Sequence, residues 1–170
     1  MLYQSIYKRG RLSALIALFL LAVGLSVMPR AQAATCYGTS CNGKNPATTG
    51  CTYNSYLARQ WPVVYASNGQ AVSGVYMQLY YSRSCGTNWV RVNANPFGGY
   101  ADKRICNAWT GYCPNVERDW GNVASFSMMV YAPGSTPVQL NVQLRDTSGA
   151  VRGYAEALQS SKAIFNTALG

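Results

Sequence analysis

Apolar and polar residues alternate along several segments of the chain, which is the pattern of half-buried β-strands. The clearest segment is residues 138–145, where Val and Leu alternate with Gln, Asn and Arg. Residues 74–82 and 88–92 show the same alternation on either side of the short turn 84–86, an arrangement that predicts a β-hairpin. In the first of these two segments, one face carries Val75, Met77, Leu79 and Tyr81.

Further short segments predict additional strands. Residues 61–65 are apolar, and Pro62 confines that strand to a sheet edge or a strand start because proline has no amide hydrogen. Strand character returns over residues 124–131 and 151–158, whereas residues 34–60 and 159–169 have no clear period. Five or six short strands separated by turn residues predict an all-β fold, a small antiparallel sandwich or barrel.

Residues 93–121 interrupt the alternation with Gly, Asn and Pro, so we expect a long loop there. Aromatic and basic side chains are interleaved in this segment, which is typical of surfaces that stack on sugar rings and attract anions. The candidate binding loop consists of Phe97, Tyr100, Lys103, Arg104, Trp109, Tyr112, Arg118 and Trp120. Aromatic residues also favour β structure, so the same residues are open to a purely structural interpretation.

The first 33 residues have the layout of a secretory signal. Lys8, Arg9 and Arg11 precede an apolar run over residues 12–27, and Ala31-Gln32-Ala33 follows as a cleavage site. A membrane anchor needs about 20 apolar residues, more than this run contains, and a lipid anchor on Cys36 fits poorly after a threonine. We therefore expect a signal peptide over residues 1–33, a single exported domain over residues 34–170 and no stable membrane span after processing.

Six cysteines lie in the expected exported part, and an even number in an exported domain indicates disulfide bonds. Fifteen pairings are formally open. Our preferred set joins Cys36 to Cys41, Cys51 to Cys85 and Cys106 to Cys113, since the first and third pairs each flank a short turn-like insert. We expect no metal site and no cofactor, because the chain lacks both histidine and a C-x-x-C pair.

The charge balance changes once the leader is set aside. The whole chain has 14 basic and 5 acidic residues and a net charge of +9. Four of the basic residues lie in the leader, so the exported part keeps ten, and its net charge is +5. Such a charge gives weak attraction to anionic cell-wall polymers, glycans or surfaces. No Lys/Arg cluster is longer than Lys103-Arg104, so we expect no nucleic-acid partner.

A series of motifs resembles a known family. Cys41-Asn42-Gly43-Lys44-Asn45-Pro46, Gly50-Cys51, residues 79–85 and Trp89-Val90-Arg91-Val92 occur in the order found in the YjfA-like secreted bacterial proteins. Members of that family look like C-x-G-K-D-P, then G-C, L-R-Y-S-x-x-C and W-x-R. The resemblance covers about residues 36–131 and implies export, a cysteine framework and β structure. It implies no activity, because the family is a domain of unknown function.

Two positions depart from the family pattern. Asn45 stands where an Asp is usual, and Tyr80 stands where an Arg is usual.

Little in the sequence points to catalysis. Without histidine, the Ser-His-Asp and Cys-His arrangements are excluded, and no catalytic residue is assigned. The leading hypothesis is a secreted, non-enzymatic β domain that acts as a binding or structural module, either outside the cell or in the cell envelope. The alternatives are a small secreted hydrolase that uses the carboxylates Glu117 or Asp119, and a secreted toxin or competition factor.

Overall fold

The computed structural model describes residues 33–160, which form an antiparallel, barrel-like sheet that is nearly closed. A single turn of 3-10 helix, η1, spans Gly38–Cys41. The nine strands are β1 (Ser55–Tyr65), β2 (Ala71–Ser82), β3 (Thr87–Val92), β4 (Gly98–Asn107), β5 (Glu117–Trp120), β6 (Ser125–Phe126), β7 (Val130–Tyr131), β8 (Pro137–Asp146) and β9 (Val151–Ser160). The all-β prediction is therefore confirmed.

The strands follow the order β5-β4-β8-β9-β1-β2-β3-β6, and β7 also pairs with β3. The hairpins β1–β2 and β8–β9 pair along most of their length, whereas β9 meets β1 only at Val64–Tyr154 and Tyr65–Gly153. Gly153 fits this narrow seam closely, because a Cβ there would lie 3.0 Å from both Phe97 and Val63 and would force them to shift. The sheet thus consists of two well-paired walls joined over a short stretch.

The main core fills the inside of the sheet with the inward residues of every long strand. Met77, Leu79, Val90 and Leu140 are fully buried there. These residues are among the apolar positions that the alternation of residues 74–82, 88–92 and 138–145 identified. Since each fully buried aliphatic side chain contributes about 1.5–3 kcal/mol, these strands supply much of the driving force for folding.

A second, smaller core lies on the outside of β3. Residues 34–51, which we call the disulfide cover, lie against the β2–β3 hairpin and bury Trp89 and Met129 there. The Cys36–Cys41 disulfide closes the cover on itself, and the Cys51–Cys85 disulfide ties it to the turn between β2 and β3. Backbone hydrogen bonds from Gly38 to Cys85 and from Gly43 to Met129, each 2.9 Å, hold it in place.

All three preferred disulfide pairings are confirmed, and the third, Cys106–Cys113, joins the end of β4 to the segment that leads into β5. The expected loop over residues 93–121 is wrong, because β4 and β5 form a hairpin within it. The strand predicted over residues 124–131 is reduced to the two-residue strands β6 and β7. Pro62 lies in the part of β1 that pairs with β2 alone, which agrees with its expected edge position.

The predicted signal peptide lies outside the described residues, apart from Ala33, as does the C-terminal segment beyond residue 160. Within residues 33–160, no helix is long and apolar enough to cross a membrane.

Candidate functional site: an arginine cleft

The outer face of the β5-β4-β8 wall carries a row of charged and polar side chains. Strand register sets their positions, because directly opposed residues of paired strands point to the same face. Opposite Asp102 of β4 lie Arg118 of β5 and Gln143 of β8, and Arg104 of β4 lies opposite Asn141. Three strands that are distant in sequence thus bring their polar residues to one surface.

This surface forms an open cleft of about 570 Å³, which we call the arginine cleft. Its guanidinium groups come from Arg104, Arg118 and Arg145, and its one carboxylate comes from Asp102. The remaining lining residues are Lys103, Cys106, Cys113, Val116, Gln139, Asn141 and Gln143. The cleft therefore has an excess of positive charge and a floor of amide side chains.

Asp102 organises two of the three arginines. Its Oδ1 accepts a hydrogen bond of 2.7 Å from Arg118 Nε, and its Oδ2 accepts bonds of 3.0 Å from Arg118 Nη2 and 3.1 Å from Arg145 Nε. The bidentate pairing with Arg118 fixes the plane of that guanidinium. It also raises the pKa of Arg118, chiefly through the hydrogen bond to Asp102.

The three guanidinium groups differ in how many of their nitrogen atoms already donate a hydrogen bond within the protein. Arg145 also donates to Gly149 O at 2.8 Å and to Gln143 Oε1 at 2.7 Å, so its three nitrogens are all occupied. Among the described residues, Arg118 Nη1 has no hydrogen-bond partner of this kind. Arg104 is exposed, and its side chain makes no hydrogen bond or ion pair with any residue between 33 and 160. Its guanidinium is thus the one in the cleft that is fully available to an anion.

An aromatic shelf, formed by Tyr100 and Trp120, lies at one end of this face. The two rings lie 4.7 Å apart, and the guanidinium of Arg118 lies 4.1 Å from the Tyr100 ring. Trp120 nevertheless remains 65 % exposed. An indole that is fixed in place by a neighbouring ring and still exposed presents a large rigid surface at low entropic cost, as sugar-binding aromatic residues do.

The opposite face of the same hairpin holds a separate group of charges. Lys103 points inward and is fully buried, and its Nζ donates to Asp119 Oδ2 at 2.7 Å and to Ala101 O at 3.1 Å. Glu117 lies directly across from Lys103 on β5. Burial, followed by the negative charge of Asp119, raises the pKa of Glu117.

The structure divides the predicted binding loop between four places. Tyr100, Arg104, Arg118 and Trp120 share the outer face of the β4–β5 hairpin, whereas the ammonium of Lys103 is buried on the inner face. Phe97 packs elsewhere, against Tyr65 near the seam, with ring centroids 6.0 Å apart. Trp109 and Tyr112 belong to the turn between Cys106 and Cys113, outside the cleft lining.

Sequence reasoning missed Asp102 and Arg145 as members of this site. The polar alternation of residues 138–145 did identify one wet face of β8, and that face supplies Gln139, Asn141, Gln143 and Arg145. The pattern did not indicate which strand lies beside that face. Since β8 pairs with β4 more than 30 residues upstream, only the sheet order brings these side chains to the arginine cleft.

The three cysteines of the disulfide cover, together with Cys85, are the one group of potential metal ligands within residues 33–160. The sulfurs of Cys36, Cys41, Cys51 and Cys85 all lie within 4.8 Å of one another. All four sulfurs are bonded in disulfides, so none of them is the thiolate that a metal ion requires.

No protein family model, no curated protein and no solved structure matches this chain.

Proposed function

We propose that this chain is a secreted binding domain whose arginine cleft binds an acidic polysaccharide of the cell envelope or its surroundings. The observation that carries the proposal is the guanidinium of Arg104, which has no partner within residues 33–160 and lines the same cleft as two arginines that Asp102 holds. An uncommitted arginine on an open surface is suited to bidentate recognition of a carboxylate.

The surroundings of Arg104 favour a sugar chain over a small anion. Gln139, the Oδ1 of Asn141 and the Nε2 of Gln143 offer amide donors and acceptors along β8, where sugar hydroxyls need both. The aromatic shelf continues the same face at the Arg118 end and offers a stacking surface. An extended ligand would therefore meet charge, amides and an aromatic ring in turn, which is a distribution suited to repeating uronic acid units.

The extracellular placement is supported by two independent features. The leader over residues 1–33 has the charge, apolar run and cleavage site of a secretory signal. All six cysteines are bonded in disulfides, which persist in oxidising compartments and are rare in reducing ones.

Binding of polygalacturonate, an acidic polymer, and of dextran, a neutral one, tests the proposal. We expect the protein to bind polygalacturonate alone, with an affinity that falls as salt is raised. Arg104→Gln removes a charged hydrogen-bond donor and should weaken binding about 10-fold or more, from the usual 1.5–3 kcal/mol of such bonds. Arg59→Gln is the matched control, because Arg59 is exposed on β1 and lies over Trp61, outside the cleft.

Equal losses in the two variants would show that net charge, and not the arginine cleft, drives binding; no binding by the wild type would overturn the proposal. The same incubation tests the hydrolase alternative. Glu117 and Asp119 lie on the inner face of the hairpin, away from Arg104, so we expect polymer length to stay unchanged. Shortening of the chains that depends on Glu117 would favour the hydrolase.

A further inference from the structure

The inner face of the β4–β5 hairpin carries three ionisable groups that the arginine cleft does not use. Lys103 and Glu117 are directly opposite each other, and Asp119 lies one inward position further along β5. The Cβ atoms of directly opposed residues lie about 4.5–5.5 Å apart, so the amine and both carboxyls are held in one small space.

Lys103 is unusual because its whole side chain is removed from water. It is 0 % exposed, and it follows Ala101 and precedes Ile105 on the core-facing side of β4. A lysine near a surface normally extends its amine to water, since burying an ammonium costs several kcal/mol even after relaxation. Here the amine is instead held against a carboxyl, with Nζ 2.7 Å from Asp119 Oδ2.

We propose that Lys103 and Asp119 condense into an intramolecular amide bond that links β4 covalently to β5, with Glu117 carrying the protons. The reaction is a loss of water from an amine and a carboxylic acid, so it needs no oxidant, reductant or cofactor. It goes beyond the proposed binding function and does not depend on it, because the side chains of these three residues lie on the inner face of the hairpin.

The atoms balance as follows. A proton passes from Lys103 Nζ to Asp119 Oδ2 along their hydrogen bond, which gives a neutral amine and a carboxylic acid. The nitrogen lone pair attacks Asp119 Cγ, a C–N bond forms, and the carboxylic acid of Glu117 protonates the hydroxyl that leaves. The C–O bond breaks to release one water molecule, and the carboxylate of Glu117 takes the surplus proton from nitrogen and is restored to its acid form.

Two features of the site favour this step. Holding the reacting groups in contact replaces a bimolecular condensation by an intramolecular one, for which effective molarities of about 10⁵–10⁸ M are known. Burial and the charge of Asp119 raise the pKa of Glu117, which favours the protonated carboxyl that the leaving hydroxyl needs.

The link would secure the edge of the sheet that displays Arg118 and Trp120. β5 is only four residues long and pairs with β4 alone, so it depends on that strand for its position. The Cys106–Cys113 disulfide already closes the opposite end of the hairpin. An amide from Lys103 to Asp119 would join the paired parts of the two strands, and unlike a disulfide it would survive reduction.

Mass spectrometry of a tryptic digest, after reduction and alkylation, tests the proposal on the purified, folded protein. Trypsin cannot cleave after an acylated lysine, so the link joins residues 92–104 to residues 119–145 in one species. We expect this species at the summed mass of its two peptides less one water molecule. Separate peptides 92–103 and 119–145, after prolonged incubation of the folded protein, would show that the contact is an ion pair and would overturn the proposal.

Two variants test the assigned roles. Lys103→Met removes the amine and keeps an apolar stem, so it should abolish the linked species. Glu117→Gln keeps the shape of the proton carrier and should slow formation of the link by about 10²-fold or more, the usual contribution of a positioned acid or base. If Glu117→Gln forms the link as fast as the wild type while all three disulfides are present, the role given to Glu117 is wrong.

Discussion

The outer faces of two hairpins in this sheet differ in exposure, since one is covered by another segment of the chain and the other is open to solvent. On β2–β3, the disulfide cover buries Trp89 to 2 % exposure between cysteines and Met129. On β4–β5, the equivalent face is bare, and Trp120 remains 65 % exposed beside three arginines. Both faces belong to antiparallel hairpins, so the strands themselves do not decide which face is covered.

The two hairpins differ in whether another segment of the chain packs over the outer face. The cover is irregular and rich in Gly, Asn and Thr; one disulfide closes it on itself, and a second disulfide and a few backbone hydrogen bonds hold it against the hairpin. Its own apolar contribution to the second core consists of Ala34 and three cysteines. The arginine cleft has no such cover within residues 33–160, and its charges are arranged by hydrogen bonds among themselves. The covered face contributes to stability, and in the function proposed above the open face is the one that binds the ligand.

The same substitution at the two tryptophans gives the largest contrast. Trp89→Ala should lower the free energy of unfolding by about 3–5 kcal/mol, because it leaves a cavity in the second core. Trp120→Ala should change that free energy by no more than about 0.5 kcal/mol, as expected for an exposed side chain. Urea unfolding of the two variants measures both values, and similar losses would contradict the division between the faces.

The long-range disulfide Cys51–Cys85 and the local disulfide Cys106–Cys113 should also differ in how much each contributes to stability. Replacing Cys51 and Cys85 together by Ser opens a link with a sequence separation of 34, and the chain-entropy model then predicts a loss of about 3–4 kcal/mol. Replacing Cys106 and Cys113, separated by 7, should cost about 2 kcal/mol. Thermal unfolding followed by circular dichroism measures both; a larger loss from the second pair would show that the hairpin and not the cover limits stability.

A smaller effect is expected from Asp146, in the turn between β8 and β9. Hydrogen bonds from Ser148 and then from Arg152 lower the pKa of Asp146 well below its ordinary value. Because the folded-state pKa is the lower one, the carboxylate stabilises the fold above its ordinary pKa, and this contribution is lost as pH falls. Stability measured from pH 6 downward should therefore decline less in Asp146→Asn than in the wild type, whereas parallel declines would contradict the assignment.

Much of the main core could be predicted from sequence, because its strands alternate cleanly. Val138, Leu140, Val142 and Leu144 face inward as their spacing indicates. The disulfide pairs also follow from local spacing, since two of them close short turns and leave one pair over. These features could be predicted because they depend on residues that are close together in the sequence or that alternate regularly along a strand.

The β4–β5 hairpin escaped prediction for a physical reason. Asp102, Lys103 and Arg104 are three consecutive charges, so the inward position of Lys103 has no apolar signature. Its burial depends on Asp119, sixteen residues further on, and that ion pair exists only once β5 pairs with β4. Gly99 is another position whose role the sequence did not indicate. A Cβ there would clash with the backbone oxygen of Asp146, and the two residues come together only in the folded sheet.

The most direct test of the whole account is a nuclear magnetic resonance titration of the folded protein with a short oligomer of galacturonic acid. We expect backbone amide shifts to concentrate on β4, β5 and β8, with the largest changes near Arg104 and Arg118, and none on the disulfide cover. Shifts centred on the cover or on β2–β3, or no shifts at all at millimolar oligomer, would contradict the assignment of recognition to the open face.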